Sequence, residues 1–384
     1  VAAAALTAAS LAACGGSSSG GGSEKPILIG EIAGTTGAYG TTGQAMIHGA
    51  DMAVKDLNAK GGVLGREFTL KWYNDNASAT LATQQFDRLV SAGAVAITGS
   101  GDTGPAVAAQ AERRRIPAIG VVDDGGLTVY PKGPGTKPYS WTFDLGLNTF
   151  AWGGKIAEYA LKHCTGGLAV LHDPTTYGQG GELAIKAAYE RAGKKLALDQ
   201  AITENWSTGA TVALTSEINK IKATGADCVD VWLTPQDQAA FAQAAHDLGA
   251  KFTIFGNDES NADNTFASLA KDRANGMVTA ALTTEVQPNA QLRQFQQRYQ
   301  QAYGTASTPF ATATYDSIMM LAQVIKQQKS TDPRALQKGF NSVSNFPGLT
   351  GTLGFTEQKH TTIEADQLTI VIYNAGTQKW EPKS

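Results

Sequence analysis

Short apolar, β-rich runs alternate with longer segments of helical period along most of the 384-residue chain. PILIGEI (26–32) predicts a strand, and HGADMAVKDLNAKGG predicts a helix with Met52, Ala53 and Leu57 on one face, stopped by Gly61-Gly62. FTLKWYND, AVAITGS and IPAIGVV continue as strands, separated by the helical segments ATLATQQFDRLVSAG and PAVAAQAERRR. The rhythm restarts with the helix TFAWGGKIAEYALKH. The strands GLAVLHD, LALDQAI, CVDVWLTP and FTIFGND follow, with GGELAIKAAYERAG, ATVALTSEINKIKATG and QDQAAFAQAAHDLGA as helices between them. Such alternation implies parallel sheets covered on both faces, and two series of similar size imply two similar α/β lobes. After MVTAALTTE come the helices QLRQFQQRYQQAYG and ATYDSIMMLAQVIKQQ, then a β-rich tail, GTLGF and LTIVIYN, that either lobe can accept.

The start breaks this pattern. VAAAALTAASLAA is too short to span a bilayer and suits the hydrophobic stretch and small-residue cleavage site of a secretory signal. No Met and no basic residue precede it, so the chain is read as beginning inside that signal. Leu11-Ala12-Ala13-Cys14 resembles a bacterial lipobox, whose cysteine becomes the lipid-bearing first residue. Gly15 to Ser23 cannot bury apolar surface and reads as a random-coil tether with a reach of about 20 Å. Residues 1–25 are therefore expected to hold a signal remnant, the lipidated Cys14 and a leash.

The rest is longer than one hydrophobic core usually organises, which again favours two domains. A formal net charge of −3, from 31 Lys+Arg against 34 Asp+Glu, argues against nucleic acid or an anionic membrane surface as partner. Besides Cys14 there are only Cys164 and Cys228, with no CxxC pair and no Cys/His spacing for zinc. His48, His163, His246 and His360 show neither HExxH nor facial-triad spacing, so no metal and no cofactor is expected.

Gly99-Ser100-Gly101-Asp102-Thr103-Gly104 is a GxGxxG between a strand and a helix, with Asp123 and Asp124 near the distance of a ribose-binding acid. That is the pattern of a dinucleotide site. Against it, the motif follows the third strand instead of the first, and an exported chain meets no nicotinamide pool. Either way, glycines let backbone N–H groups approach a ligand, and the helix starting near Pro105 offers its positive end to an anion. Gly16 to Gly20 matches GxSxG but lies in the tether with no strand before it. His172-Asp173 closes a strand with no nucleophile paired locally, and Arg113-Arg114-Arg115 suits a solvated helix C-terminus.

Ligands of open α/β sheets bind outside the strands' carboxyl ends. Here those ends read Thr35 to Tyr39, Ser100 to Thr103, Asp123-Asp124, Asp173 to Tyr177, Thr234 and Asn257-Asp258-Glu259. Half come from each lobe, which implies a cleft with hydroxyls and amides on one wall and an acid with an aromatic on the other.

From residue 26 to the end the chain resembles the type I periplasmic solute-binding proteins, specifically the leucine/isoleucine/valine-binding group of ABC importers. ILIGEIAGTTGAYG, HGADMAVKDLNAKGGVLGREFTL, VLHDPTTYGQGG, AHDLGAKFTIFGND and TPFATATYDSI carry the resemblance. It implies two doubly wound parallel-sheet lobes joined by three crossovers that close like a hinged trap. The first lobe would take residues 26–145 and 278–350, the second 146–277 and 351–384. The loop Ser100, Gly101, Asp102, Thr103 would bind an amino-acid carboxylate through amides and a hydroxyl, Ser100 foremost. Asp258 would pair with the ammonium, Tyr177 and Thr234 would line the second lobe's wall, and Tyr39 or Thr42 would pack on the ligand side chain.

One stretch departs from the family. Where relatives carry Ser-Ala-Thr, this chain has Val121-Val122-Asp123-Asp124-Gly125-Gly126. If Asp123 faces the cleft, the solute is cationic or rich in hydroxyl or amide donors; if it caps the following turn, the ligand stays family-typical. In the implied strand order, GLAVLHD and CVDVWL are neighbours, so Cys164 and Cys228 are expected to form a disulfide. The chain is thus expected to be a monomeric, lipid-anchored, extracytoplasmic receptor that does no chemistry on its solute. That solute would be an amino acid of branched-chain type or a related amide, polyamine or aromatic acid, delivered to an ABC permease. A dinucleotide-dependent dehydrogenase using the glycine motif and a sensory ectodomain with the same trap are the other readings.

Overall fold

The computed structural model describes residues 25–37, 40–121, 125–205, 208–262 and 264–383. Cys14 with the tether, Tyr39, Asp123 and Asp124 lie outside the described residues, as does the side chain of Asp102. In the first lobe β1 (Ile27–Ile32), β2 (Phe68–Tyr73), β3 (Ala96–Gly99), β4 (Ala118–Gly120) and β5 (Thr142–Asp144) form a parallel sheet of order β2-β1-β3-β4-β5. The helices α1 (Gly40–Ala59), α2 (Ala79–Ser91) and α3 (Gly104–Arg114) supply the crossovers. Ile27 and Ile29 of β1 pack with Ala50, Ala53 and Leu57 of α1, while Ile32 joins Phe86 and Val107 of α2 and α3 on the opposite face. A strand covered on both faces reads as a continuous apolar run, which is why PILIGEI shows no alternation.

The second lobe repeats this with α4 (Thr149–His163), β6 (Leu168–His172), α5 (Thr176–Arg191), β7 (Leu198–Ala201), α6 (Thr215–Thr224), β8 (Cys228–Trp232), α7 (Pro235–Asp247), β9 (Thr253–Gly256), α8 (Thr265–Ala270) and β10 (Val278–Leu282). The chain then runs through α9 (Thr283–Val286), α10 (Ala290–Tyr303), α11 (Pro309–Gln328), α12 (Pro333–Phe340) and the hairpin of β11 (Phe346–Gly348) and β12 (Gly351–Leu353). It ends in β13 (Leu368–Asn374) and β14 (Lys379–Pro382). The second sheet has the order β14-β13-β10-β9-β8-β6-β7, parallel except for the antiparallel β13 and β14. β10 corrects the expected boundary: residues 278–282, assigned to the first lobe from sequence, are hydrogen-bonded between β9 and β13. Without β10 the buried edge of β9 would lack backbone partners.

Two glycines set close approaches. α1 and α11 pack so tightly that a Cβ on Gly49 would sit 2.2 Å from the Ala311 carbonyl oxygen, and one on Gly181 of α5 would meet the Trp232 indole at 2.2 Å. Three passages join the lobes among the described residues: Asp144 to Thr149, Leu282 to Ala290, and Leu353 to Leu368. Asp144 N–H donates to the His360 carbonyl at 2.8 Å and Asn148 Nδ2 to the Ile363 carbonyl at 3.0 Å, so the first passage is laced to the third. No helix among the described residues is long and apolar enough to cross a membrane.

β6 and β8 pair in parallel with Leu168 opposite Cys228, and Cys164 and Cys228 are joined in the expected disulfide. It closes a loop with a sequence separation of 64. Chain entropy then assigns it about 4 kcal/mol. Denaturant unfolding with and without reductant is expected to differ by about that amount, and equal midpoints would remove the disulfide from the stability of the fold.

Glu31 shares the α1-facing side of β1, fully buried, with neither carboxylate oxygen hydrogen-bonded, and the Thr98 hydroxyl opposite it is also without a partner. Burial pushes its carboxyl up from 4.5 to about 8. Between those values the folded chain binds the extra proton, so stability falls as pH rises. Glu31→Gln is expected to gain stability over the native chain as pH rises from about 5 to about 8. A pH-independent gap in urea midpoint would contradict a protonated Glu31.

Candidate functional site

In the first lobe the carboxyl end of β3 makes an unusual turn. Gly99, Ser100 and Gly101 take φ of 77°, 127° and 49° in succession. Glycine adopts such angles freely, but for Ser100 they are strained, and strain of this kind collects at ligand sites. Ser100 is buried, and its Oγ has no hydrogen-bond partner. A one-turn 3₁₀ segment, Gly101–Thr103, leads straight into α3, whose N-terminus carries Pro105 and no side-chain cap. The first amides of α3 are therefore uncapped by any side chain, the arrangement that receives anions.

Thr103 does not behave as its position on the rim suggests. Its hydroxyl donates to Asp75 Oδ2 and to the Ser100 carbonyl, the latter at 3.2 Å. Asp75, at the carboxyl end of β2, is fully buried and its carboxyl is raised by that burial, against the pull of the Thr103 hydrogen bond. Thr103 thus clamps the loop from behind and leaves Ser100 and the backbone amides to meet a ligand.

The second lobe presents Asp258. β9 ends at Gly256, and Asn257 holds the next turn: its Oδ1 accepts from Glu259 N–H at 3.1 Å and from Gln238 Nε2 at 2.8 Å, and its Nδ2 donates to the Leu233 carbonyl at 2.8 Å. Tyr177, in the first turn of α5, donates its hydroxyl to Asp258 Oδ1. Burial pushes the Asp258 carboxyl up to about 6 while the Tyr177 hydroxyl favours its ionised form. Asp173, beside them, accepts from Thr175 N–H at 2.7 Å and from the Thr175 hydroxyl, fixing the start of α5.

Thr234 is also committed to structure. Its hydroxyl caps α7 by accepting from Asp237 N–H at 3.3 Å, and its own N–H donates to Glu204 Oε1 at 2.8 Å. Glu204 and Asp237 are adjacent carboxyls, and burial with that neighbour pushes Glu204 up to about 9. His172 turns away from any chemistry, with Nδ1 on the Asp173 carbonyl at 2.8 Å and Nε2 3.3 Å from Asp199. The rim of the second lobe thus joins Tyr177 to Asp258 and that of the first carries Ser100 with Gly101, while Thr103 and Thr234 are engaged within their own lobes. Asp75 and Glu204 went unnoticed in the sequence, although both follow strand carboxyl ends, the signal that flagged their neighbours.

Two α/β lobes on three passages, with an uncapped helix N-terminus on one and a tyrosine-held carboxyl on the other, define a solute-binding protein of the hinged, two-lobed kind. Residues 26–377 match the periplasmic binding protein family, and the chain belongs to it, in the type I, branched-chain amino acid group. A leucine-, isoleucine-, valine-, threonine- and alanine-binding protein of Pseudomonas aeruginosa is 24% identical, covering 87% of this chain and 86% of its own. A Leu/Ile/Val-binding protein homolog of Brucella melitensis is 26% identical over 64% of this chain and 68% of its own. Among solved structures, a type 1 periplasmic binding protein from Bordetella pertussis superposes with a TM-score of 0.83 at 20% identity, covering 93% of this chain and 99% of its own. A Rhodopseudomonas palustris solute-binding protein in complex with 3,4-dihydroxybenzoic acid reaches 0.76 at 16% identity, covering 90% of this chain and 93% of its own.

Removing the Tyr177 hydroxyl takes away a donor that favours the charged carboxyl. In Tyr177→Phe the Asp258 titration, followed by carboxyl carbon resonance, is expected to move above about 6. An unchanged midpoint would mean that the hydrogen bond does not tune this acid.

Proposed function

We propose that the chain is the receptor of an ABC importer, held on the outer face of a membrane by lipid at Cys14, and that it captures an amino acid or related small polar solute by closing its lobes. The observation that carries this reading is Asp258: a buried carboxyl at a strand's carboxyl end, hydrogen-bonded by Tyr177 and with no ion-pair partner among the described residues. An ammonium group offsets the burial of that charge, and the solute carboxylate completes itself on Ser100 and the amides of the Gly101 turn and α3. The lobes in this reading are 26–145 with 283–350, and 146–282 with 351–384. The solute touches both walls only when they are closed, and that differential affinity drives closure. The chain acts as a monomer and transforms nothing.

Other solutes fit the same trap, and the dihydroxybenzoate complex of the Rhodopseudomonas palustris relative is the observation that favours testing aromatic acids beside amino acids. A thermal-shift panel of amino acids, amides, polyamines and aromatic acids separates the two. A ligand at a hundredfold excess over Kd adds about 2.7 kcal/mol, which moves a melting point by several degrees. Amino-acid binding is expected to weaken about a hundredfold in Asp258→Asn. It should also weaken in the native chain as pH falls below about 6, where Asp258 takes up its proton. A panel in which no amino acid shifts the melt, or an Asp258→Asn protein that binds them normally, would overturn the reading.

A further inference from the structure

Beside Asp258 the cleft opens into a chamber of about 830 Å³. Its described lining comes from α1 and α10 of the first lobe, Asp258, Asn261, Thr265, Ser268 and Trp380 of the second, and the passage Leu282–Val286. Its size is that of a pocket for a ligand with more than a short aliphatic side chain. Among the described residues, three acidic or lysine side chains line it: Asp258, Glu285 and Lys379, of which the lysine is exposed at the rim.

Glu285 sits at the end of the passage that follows β10. Its Oε1 is sealed from solvent and accepts no hydrogen bond. Burial pushes its carboxyl up to about 7, with the Thr312 hydroxyl favouring the charged form. The neighbouring acid, Asp316, is itself raised to about 8 and accepts from the Leu349 N–H at 2.8 Å. Among the described residues no cation answers Glu285, since none of the ion pairs includes it.

The wall from α1 and α10 is aromatic and uncharged. His48 stacks on Tyr303 with ring centroids 3.7 Å apart, and its Nδ1 lies 3.2 Å from the Tyr299 hydroxyl. Burial holds His48 below its ordinary range, so it offers a neutral ring and no competing charge. π faces beside a lone carboxyl suit an organic cation. An apolar tail would leave the Glu285 oxygen unpaired, and an acidic tail would meet two carboxyls.

We propose that this chamber holds a distal ammonium group of the solute, paired with Glu285, so that the preferred solute is an amino acid with a cationic side chain. The inference rests on the amino-acid reading of Asp258 and Ser100 and extends it along the cleft. β9 and β10 are adjacent and parallel, with Phe255 opposite Val278, so Asp258 and Glu285 both lie beyond the carboxyl edge of one sheet. Both also line the chamber, so a solute held at Asp258 by its α-ammonium extends its side chain into the space that Glu285 borders.

The test is calorimetric titration of the full chain and its Glu285→Gln variant with lysine, norleucine, leucine and 1,5-diaminopentane, norleucine being the lysine shape with a methyl in place of the ammonium. Lysine is expected to bind at least about tenfold more tightly than norleucine, and Glu285→Gln to erase that advantage while leaving norleucine unchanged. Unchanged norleucine binding also shows that the variant is folded. Binding of norleucine or leucine without lysine, or lysine affinity indifferent to Glu285→Gln, overturns the chamber and leaves the amino-acid receptor standing. If only the diamine binds, and loses its affinity in Glu285→Gln, the ammonium compartment stands and the amino-acid reading falls. If nothing binds, both fall.

Discussion

Parallel pairing is the constraint on which the rest of this molecule depends. A parallel strand cannot turn back on itself, so each is followed by a helix, and all carboxyl ends of a sheet collect at one edge. That geometry alone puts Ser100, Asp75 and Glu31's strand end on one rim, and Tyr177, Glu204, Thr234 and Asp258 on the other. The helices that follow begin at the same rim, so each lobe supplies backbone donors as well as side chains. β13 and β14, which run antiparallel, complete the far edge of the second sheet and bring Trp380 back to the chamber beside Asp258.

Buried carboxyls are the second theme, and their partners sort them. Asp75, Asp173 and Asp258 each accept hydrogen bonds and fix a loop or a neighbouring ring. Glu204 leans on Asp237 at the cap of α7. Glu31 and Asp230 lie inside the lobes with no hydrogen bond to either oxygen, and burial raises the carboxyl of both. Glu285 differs from those two: the Thr312 hydroxyl favours its charged form, only its Oε1 lacks a hydrogen bond, and it borders a chamber. The same burial that makes an interior acid inert makes an acid at a cavity wall a receptor for a cation.

Much of the fold was legible because strands buried on both faces, such as β1, β3 and β6, read as apolar runs. β1 to β4, β6 to β10 and β13 all fall on runs read from sequence. The three-residue strands β5 and β11 carry too little pattern to stand out, and α12, starting at Pro333 behind an Asp332 cap, hid in a polar stretch. β10 was assigned to the wrong lobe because an apolar run says nothing about its neighbour, which only the register with Phe255 and with β13 decides. At the site, rim position was legible but the direction of a hydroxyl was not: Thr103 turns to Asp75, 28 residues earlier, and Thr234 to its own helix. Glu285 carried no motif, since its meaning comes from what fails to face it.

Each wall of the cleft is built within its own lobe. Tyr177 and Asp258 are bound to each other across one sheet's rim, and Ser100 is held by Thr103 and Asp75 on the other. Neither wall needs the other lobe to hold its shape, so little reorganisation is left for the moment of binding. The passages between the lobes are laced as well: His360 stacks on Phe143 at 4.2 Å, and its ring nitrogens reach the Thr142 carbonyl at 2.9 Å and Asn341 at 2.8 Å. Burial pushes that histidine down to about 4, so it stays neutral and the lacing is indifferent to pH across the neutral range. In the proposed reading, a solute that bridges Asp258 and the Ser100 turn shifts the open–closed equilibrium by its differential affinity for the closed lobes. If Glu285, without a cation among the described residues, meets the far end of the solute as proposed, that differential depends on what the far end carries.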